Sequence, residues 1–395
     1  MDFEFTPEQV ELRAELEGFV DERLPPWWGS GIFGEHQDGF IPATVEFCKE
    51  MAERGWLTMS WPSEYGGLDS DLWSQMVLRE VMWGRGEPRG PQYMNLNYIG
   101  PMIMRFGSEE QKARHLPAMA RGEVLWTQGF SEPGAGSDLA SLSTRAEDRG
   151  DHFVVNGQKI WNSYAAAPAD WCLLLVRTNP DAPKHRGISV LLVDMTTTGV
   201  TVRPIESMAG YGEINEIFFD DVVVPRENLV GEQDQGWPMI VFGLSFERTG
   251  IANHARALAT IQRLVEYVRK TEVDGRPLAQ DPHVRTAIAR LYCDYRAARL
   301  TSYRIVSMVE NGQDPQAEAS IAWVYGTRAA QNAAVAGMEI IGPRAQLGTS
   351  EHTAPVSGLI AREWLETIPW SIVVGTVDIQ RSIIAQRGLG MPKAS

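Results

Sequence analysis

The stretch Phe130-Ser131-Glu132-Pro133-Gly134-Ala135-Gly136-Ser137-Asp138 and the later Trp161-Asn162-Ser163 hold the residue types best suited to chemistry in this chain. Glycines let backbone N–H groups approach an anion closely. Ser131 and Ser137 add neutral donors, and Trp161 offers a flat apolar face to a planar ring. The combination suits a cofactor with both a pyrophosphate and a fused ring. A Rossmann nicotinamide site fits poorly. Gly134-Ala135-Gly136 lacks the third glycine and precedes a strand-rich region instead of opening a βαβ unit. Seven histidines are scattered, with no HExxH and no Cys/His cluster, so no metal site is expected.

The elements that must position these residues read as an α–β–α order, an α+β chain in three parts. Residues 1–120 read as a helical domain. Thr6-Pro7-Glu8-Gln9 is a capping box with proline at the first helical position, and Leu12, Leu16 and Val20 recur at helical spacing. Ser108-Glu109-Glu110-Gln111 starts another helix that carries Leu116. The stretches 25–34 and Pro62–Gly67 read as loops. Residues 121–233 read as short strands at barrel or sandwich spacing: Phe153–Val155, Trp171–Val176, Ile188–Val193, Thr201–Pro204 and Ile217–Val224. Asn156-Gly157 is a hairpin-turn signal. Residues 234–395 return to long helices, Trp237–Thr271, Pro282–Asn311 and Pro315–Ile341, with further helix over Ala354–Gln386. Gly312 reads as a helix stop, and the alanine-rich face Ala329–Ala336 suits packing against other subunits.

The 395 residues suit two or three domains, and 44% hydrophobic content allows large cores. No apolar run is long enough to span a bilayer, and the acidic start Met1-Asp2-Phe3-Glu4 shows no signal peptide. Three widely spaced cysteines (Cys48, Cys172, Cys293) read as reduced, buried small side chains in a cytoplasmic protein. A net charge of −15 disfavours nucleic acid and anionic membranes as partners. An anionic ligand remains compatible where local basic residues gather.

The full Phe130–Asp138 string with Trp161-Asn162-Ser163 resembles the acyl-CoA dehydrogenase family. The resemblance continues through Lys159, Ala169-Asp170-Trp171, Arg177-Thr178 and Pro225. It implies an N-terminal helical domain, a middle β-barrel and a C-terminal four-helix bundle, with FAD between barrel and bundle. It further implies that Gln128, Phe130 and Ser131 line the flavin ring and its pyrimidine edge, and that Ser137 lies near the pyrophosphate. Trp161 would pack on the ring, Ser163 would hydrogen-bond near N5, and Thr376 matches a C-terminal Gly-Thr pair that touches the cofactor.

The implied reaction removes an α-proton from an acyl-CoA thioester while the β-hydride leaves for the flavin. Many family members carry the base in a C-terminal Tyr-Glu-Gly-Thr motif. Here the string is Ile372-Val373-Val374-Gly375-Thr376, and Val374 has no carboxylate. Another branch places the base on the first long helix of the bundle, which here reads Leu244-Ser245-Phe246-Glu247-Arg248. Glu247 is therefore expected to be the base, with Arg248 in support. The Val374 N–H is expected to donate to the thioester carbonyl. The loss of Tyr-Glu, and Gly243 one turn before Glu247, point to a widened acyl pocket. By resemblance, that suits a bulky group such as a steroid side-chain thioester, against a straight or branched fatty acyl chain.

Two family strings that complete a neighbour's flavin, Arg-x-x-Phe-Gly and Gln-x-x-Gly-Gly, are altered to Arg269–Gly275 and Glu339-Ile340-Ile341-Gly342-Pro343. Proline removes a donor there. The departure resembles members that form α2β2 heterotetramers, so an unlike acyl-CoA dehydrogenase subunit is expected, with a homo-oligomer as the alternative. An electron-transferring flavoprotein is the implied acceptor. The competing functions are a non-catalytic or cofactor-completing subunit, and a flavin oxidase or monooxygenase on the same fold.

Overall fold

The computed structural model describes residues 4–28, 37–166, 169–208, 214–250 and 252–392. The side chains of residues 37, 38 and 244–250 lie outside that description. The chain forms two compact units. One comprises residues 38–70 and 89–247, and the other 1–37, 71–88 and 248–395.

The first of these units is built on an eight-stranded sheet. Its strands are β1 (Trp126–Gly129), β2 (Arg145–Asp148), β3 (His152–Ser163), β4 (Trp171–Arg177), β5 (Ile188–Asp194), β6 (Val200–Pro204), β7 (Ile214–Pro225) and β8 (Leu229–Val230). They run in the order β6-β7-β3-β2-β4-β5-β8, with β1 parallel to β4. Inward residues of β2, β3, β4, β5 and β7 share one core, including Phe153, Val155, Leu174, Leu191, Ile217 and Phe219. Val200 and Val202 of β6 and Leu229 of β8 pack on that same core, although they lie at opposite ends of the strand order. The sheet therefore curls around its apolar side, as strand twist favours.

Asn156-Gly157 does not make the expected hairpin turn; it lies inside β3 at a bulge against β7. The cause is local. The Asn156 carboxamide exchanges two hydrogen bonds with Asp221, at 2.8 and 2.9 Å. A Cβ on Gly157 would lie 2.6 Å from Thr144 Oγ1, so only glycine fits there. The β2–β3 turn falls instead at Arg149-Gly150-Asp151, closed by Arg149 N–H to His152 O at 2.9 Å. The Ser108 capping box forms as expected, and Leu116 is buried on its helix, Glu109–Ala120.

The other unit is helical. The Thr6 capping box starts the Pro7–Arg23 helix, which buries Leu16, Phe19 and Val20. The expected long helix over 237–271 is two: Gly236–Gly250, which belongs to the first unit up to residue 247, and Asn253–Lys270. The break follows Gly250, a weak helix former, and Ala252 takes a non-helical conformation (φ −102°, ψ 56°). The helices Pro282–Glu310 and Gln316–Ile341 match expectation, and Gly312 follows the former with φ 70°. The C-terminal segment supplies further helix as expected, in Leu359–Thr367 and Val377–Ile383, followed by a π-helical turn.

Ala329, Ala330, Ala333 and Ala334 do not form an outer face. They are buried inside their own bundle, where Ala257 and Ala298 meet Ala329 and Ala330. Small side chains there let the helices approach closely. Glu80, on the Leu72–Gly84 helix, ties the N-terminal helix to the bundle. Its buried carboxylate accepts from Arg13 (2.5 Å), Arg299 (2.8 Å), His254 (3.0 Å) and Tyr303 (3.0 Å). Cys48 and Cys172 are buried free thiols, but Cys293 is exposed on its helix, contrary to expectation. No helix among the described residues is long and apolar enough to cross a membrane.

Candidate active site

The glycine-rich loop leaves β1 at Gly129. A Cβ there would press to 2.6 Å from Leu174 Cδ1, so glycine lets β1 lie flat on β4. Phe130 is buried and Ser131 half-buried, and Ser131 O accepts from Ile160 N at 2.9 Å. Glu132 then turns inward. Its carboxylate accepts from Ser143 N (2.7 Å), Ser143 Oγ (2.8 Å), Thr144 N (2.8 Å) and Lys159 Nζ (2.7 Å). Lys159 Nζ also donates to Phe130 O at 3.1 Å. Burial pushes the Glu132 carboxyl up, but Lys159 and these donors overcome it and hold it at about 2. Burial takes Lys159 down to about 8 against the pull of the Glu132 carboxylate. The pair is a fixed post from which the loop hangs.

Beyond it, Glu132 and Ala135 exchange two backbone hydrogen bonds of 3.0 Å, a tight turn. Nothing lies within 4 Å of where a Cβ would stand on Gly134 or Gly136. Ser137 is exposed. Among the described residues, the N–H groups of Gly134, Gly136 and Ser137 make no hydrogen bond. The loop thus presents free donors and open space.

Trp161 sits at a second bulge of β3, where the register against β7 slips between Lys159 and Asn162. Its backbone is left-handed (φ 65°), and its indole is 58% exposed. A large residue in that conformation is uncommon and costs about 1–3 kcal/mol. A bulge re-aims side chains, and here it turns an indole outward that plain alternation would not. Neighbouring Asn162 is buried and binds Gln128 O through Nδ2 at 2.5 Å, while Asn215 Nδ2 holds Asn162 O at 3.1 Å. Thr127 Oγ1 holds Ser163 O at 2.8 Å. These bonds bring Gln128, Ser163 and Trp161 together where β1 meets the end of β3. Gln128 Oε1 is buried with no protein partner among the described residues, an acceptor left for something else.

In the helical unit, Val374 is left-handed (φ 57°), an outlier for a β-branched residue, and Gly375 follows at φ 81°. Gln380, fully buried, holds this turn. Its Nε2 donates to Val374 O (3.0 Å) and Gly375 O (3.3 Å), and its Oε1 accepts from Ser320 Oγ (2.7 Å). Thr376 caps the Val377–Ile383 helix by accepting from Ile379 N at 3.2 Å. The Val374 N–H makes no hydrogen bond among the described residues. Beside Thr376 opens a cavity of about 420 Å³ whose lining includes Thr327, Arg328, Gln331 and Arg381.

Glu247 and Arg248 lie on the Gly236–Gly250 helix, and their side chains fall outside the described residues. Gly243, one turn earlier on that helix, leaves no void. A Cβ there would lie 2.5 Å from the Tyr98 ring. The structure therefore gathers Gln128, Phe130, Ser131, Trp161 and Ser163 where the end of β1 meets the end of β3, with Ser137 on the adjoining loop. Val374 and Thr376 share a turn in the other unit. Sequence reasoning gave no role to Glu132, Gln380 or Tyr98, and none to Lys159. A signal existed for Lys159, which continues the inward alternation of Phe153 and Val155; a lysine at such a position demands a buried carboxylate.

Sequence models of the acyl-CoA dehydrogenase N-terminal, middle and C-terminal domains match residues 6–123, 127–222 and 234–389. Acyl-CoA dehydrogenase FadE26 of Mycobacterium tuberculosis is 34% identical over 405 residues, covering 100% of both chains. A chain of the ChsE4-ChsE5 complex from Mycobacterium tuberculosis superposes with a TM-score of 0.90 at 34% identity, covering 100% of both. The Tcur3481-Tcur3483 steroid ACAD gives a TM-score of 0.90 at 32% identity, again over 100% of both chains. With full-length identity and all three domain types matched in order, this chain belongs to the acyl-CoA dehydrogenase family of flavin-dependent oxidoreductases.

Proposed function

We propose that this chain binds FAD and, in the cytosol, introduces an α,β double bond into an acyl-CoA thioester. The observation that best supports flavin binding is the outward-turned Trp161 on its bulge beside the orphaned Gln128 Oε1 and the uncrowded loop. An indole face, a carboxamide acceptor and free N–H donors match a flavin ring, its pyrimidine edge and a pyrophosphate. In this reading Phe130, Ser131 and Ser163 line the ring. Ser137 faces the pyrophosphate, and Thr376 contacts the cofactor from the C-terminal turn. Bound flavin supplies the acceptor for the hydride that leaves the β-carbon.

The chain's own residues do the rest. Glu247 removes the α-proton, and Arg248 steadies it. The negative charge that develops on the thioester oxygen needs a fixed donor in a dry site. The Val374 N–H serves that role, since the task requires no side chain and Gln380 fixes the turn. The three-part division 1–120, 121–233 and 234–395 is the frame for these roles.

A bulky acyl group, such as a steroid side-chain thioester, is the proposed substrate. Val373-Val374 in place of Tyr-Glu supports it, as does the likeness to a protein named a steroid ACAD. An electron-transferring flavoprotein is the proposed acceptor. Anaerobic addition of acyl-CoA to the flavin-loaded protein tests the core of this reading. Bleaching of the oxidised flavin band, followed by fast re-oxidation with dye and slow re-oxidation with oxygen, is expected. Fast re-oxidation by oxygen would point to an oxidase; no bleaching would point to a non-catalytic subunit.

A further inference from the structure

We propose that Asn162 keeps the Trp161 indole turned outward, by taking the inward place on β3 that the indole would otherwise fill. The inference rests on the reading that this indole packs on a flavin ring. Lys159 is wholly buried, so plain alternation along β3 would carry Trp161 to the same side of the strand, away from solvent. The bulge prevents this by inserting one extra residue. Lys159 stands opposite Ile217 and Asn162 opposite Asn215, three steps on β3 against two on β7. Asn162 is consequently 2% exposed and Trp161 58%. A shift of register by one residue would exchange the two.

Apolar burial alone favours the exchanged arrangement, which hides an indole and releases a carboxamide. A polar chain across three strands opposes it. Asn162 Nδ2 donates to Gln128 O on β1 at 2.5 Å, and Asn215 Nδ2 on β7 donates to Asn162 O at 3.1 Å. Asn215 is itself fully buried. Thr127 Oγ1 fixes the next residue of β3 by donating to Ser163 O at 2.8 Å. With the indole inward, Gln128 O would lose its Asn162 donor, and a covered acceptor left unmet costs more than an ordinary hydrogen bond contributes. Asn162 is thus a positioning residue that acts through Trp161.

The first test needs no flavin. The full chain is labelled with 5-fluorotryptophan, and the Trp161 fluorine resonance is identified by its loss in Trp161→Phe. In the parent this resonance is expected to move between H2O and D2O, as that of a solvent-exposed indole does. In Asn162→Ala the movement is expected to vanish. Should that variant not fold, Asn162→Asp keeps the shape of the side chain and reads the same signal. A resonance that keeps its solvent shift in a folded Ala or Asp variant overturns the proposal. The second test is a double-mutant cycle on FAD affinity in the active assembly. Asn162→Ala is expected to raise the FAD dissociation constant about tenfold, the scale of one hydrogen bond. Once Trp161→Ala has removed the indole, the same change should weaken binding less than about threefold. Equal losses in both backgrounds overturn the action through Trp161. If Trp161→Ala leaves FAD affinity unchanged, the flavin reading fails instead, and the fluorine result still decides the role of Asn162.

Discussion

Lys159 is a wholly buried cation on a strand, and among the described residues the carboxylate that pairs its charge is Glu132. Removing one partner of such a pair leaves an uncompensated charge, worth about 3–5 kcal/mol. Glu132→Gln should therefore destabilise the strand-built unit by about that amount near neutral pH, read from chemical unfolding. It should also change the acid limb. The Glu132 carboxyl is held below its ordinary value of 4.5, at about 2, so the folded state binds its proton less readily than the unfolded one. The stability it contributes is complete above 4.5 and is lost as pH falls through about 2. The parent protein should lose stability more steeply across that window than Glu132→Gln. Parallel curves would show that the carboxylate does not carry the loop.

Two strained turns do the positioning at the scale of elements: the β3 bulge under Trp161 and the left-handed turn at Val374. Gln380→Leu would leave two carbonyls of the Val374 turn without their donor, a loss of about 1–3 kcal/mol. The unfolding midpoint should fall accordingly, and a midpoint equal to the parent's would show the turn holds itself. Neither turn was legible in the sequence. Short apolar runs of strand length disclosed β4 and β5, and the capping boxes at Thr6 and Ser108 disclosed their helices, because those signals are local. A bulge depends on register against another strand: Asn156-Gly157 looks like a hairpin until Asp221 is opposite it. The break between Gly250 and Asn253 was hidden for a related reason, since apolar periodicity continues across it. Residues marked by an unusual string, such as Ser131 and Trp161, stood out in the sequence. Those defined by a distant partner, such as Gln380 with Ser320 or Tyr98 with Gly243, did not.

At the scale of the whole molecule, completion of the cofactor site by another chain is the proposal with the widest consequence. The Arg269–Gly275 region forms a small hairpin, Glu272–Val273 against Arg276–Pro277, with Asp274 and Gly275 at its tip in left-handed conformations. The Gln316–Ile341 helix stops at Gly342 (φ 74°), followed by Pro343. In the proposed reading both places carry strings altered from those that complete a neighbour's flavin, and two solved assemblies similar to this chain are each named for a pair of proteins. Expressed alone, the chain should purify with little flavin and gain it with an unlike acyl-CoA dehydrogenase subunit; absorbance per mole of protein checks this. A fully flavinated, active homo-oligomer would contradict it. The most direct test of the central claim is Glu247→Gln in the active assembly. Loss of turnover by about a thousandfold or more, with bound flavin retained, is the result predicted for an essential acid–base group. Turnover close to the parent's would place the base on another residue and contradict the account.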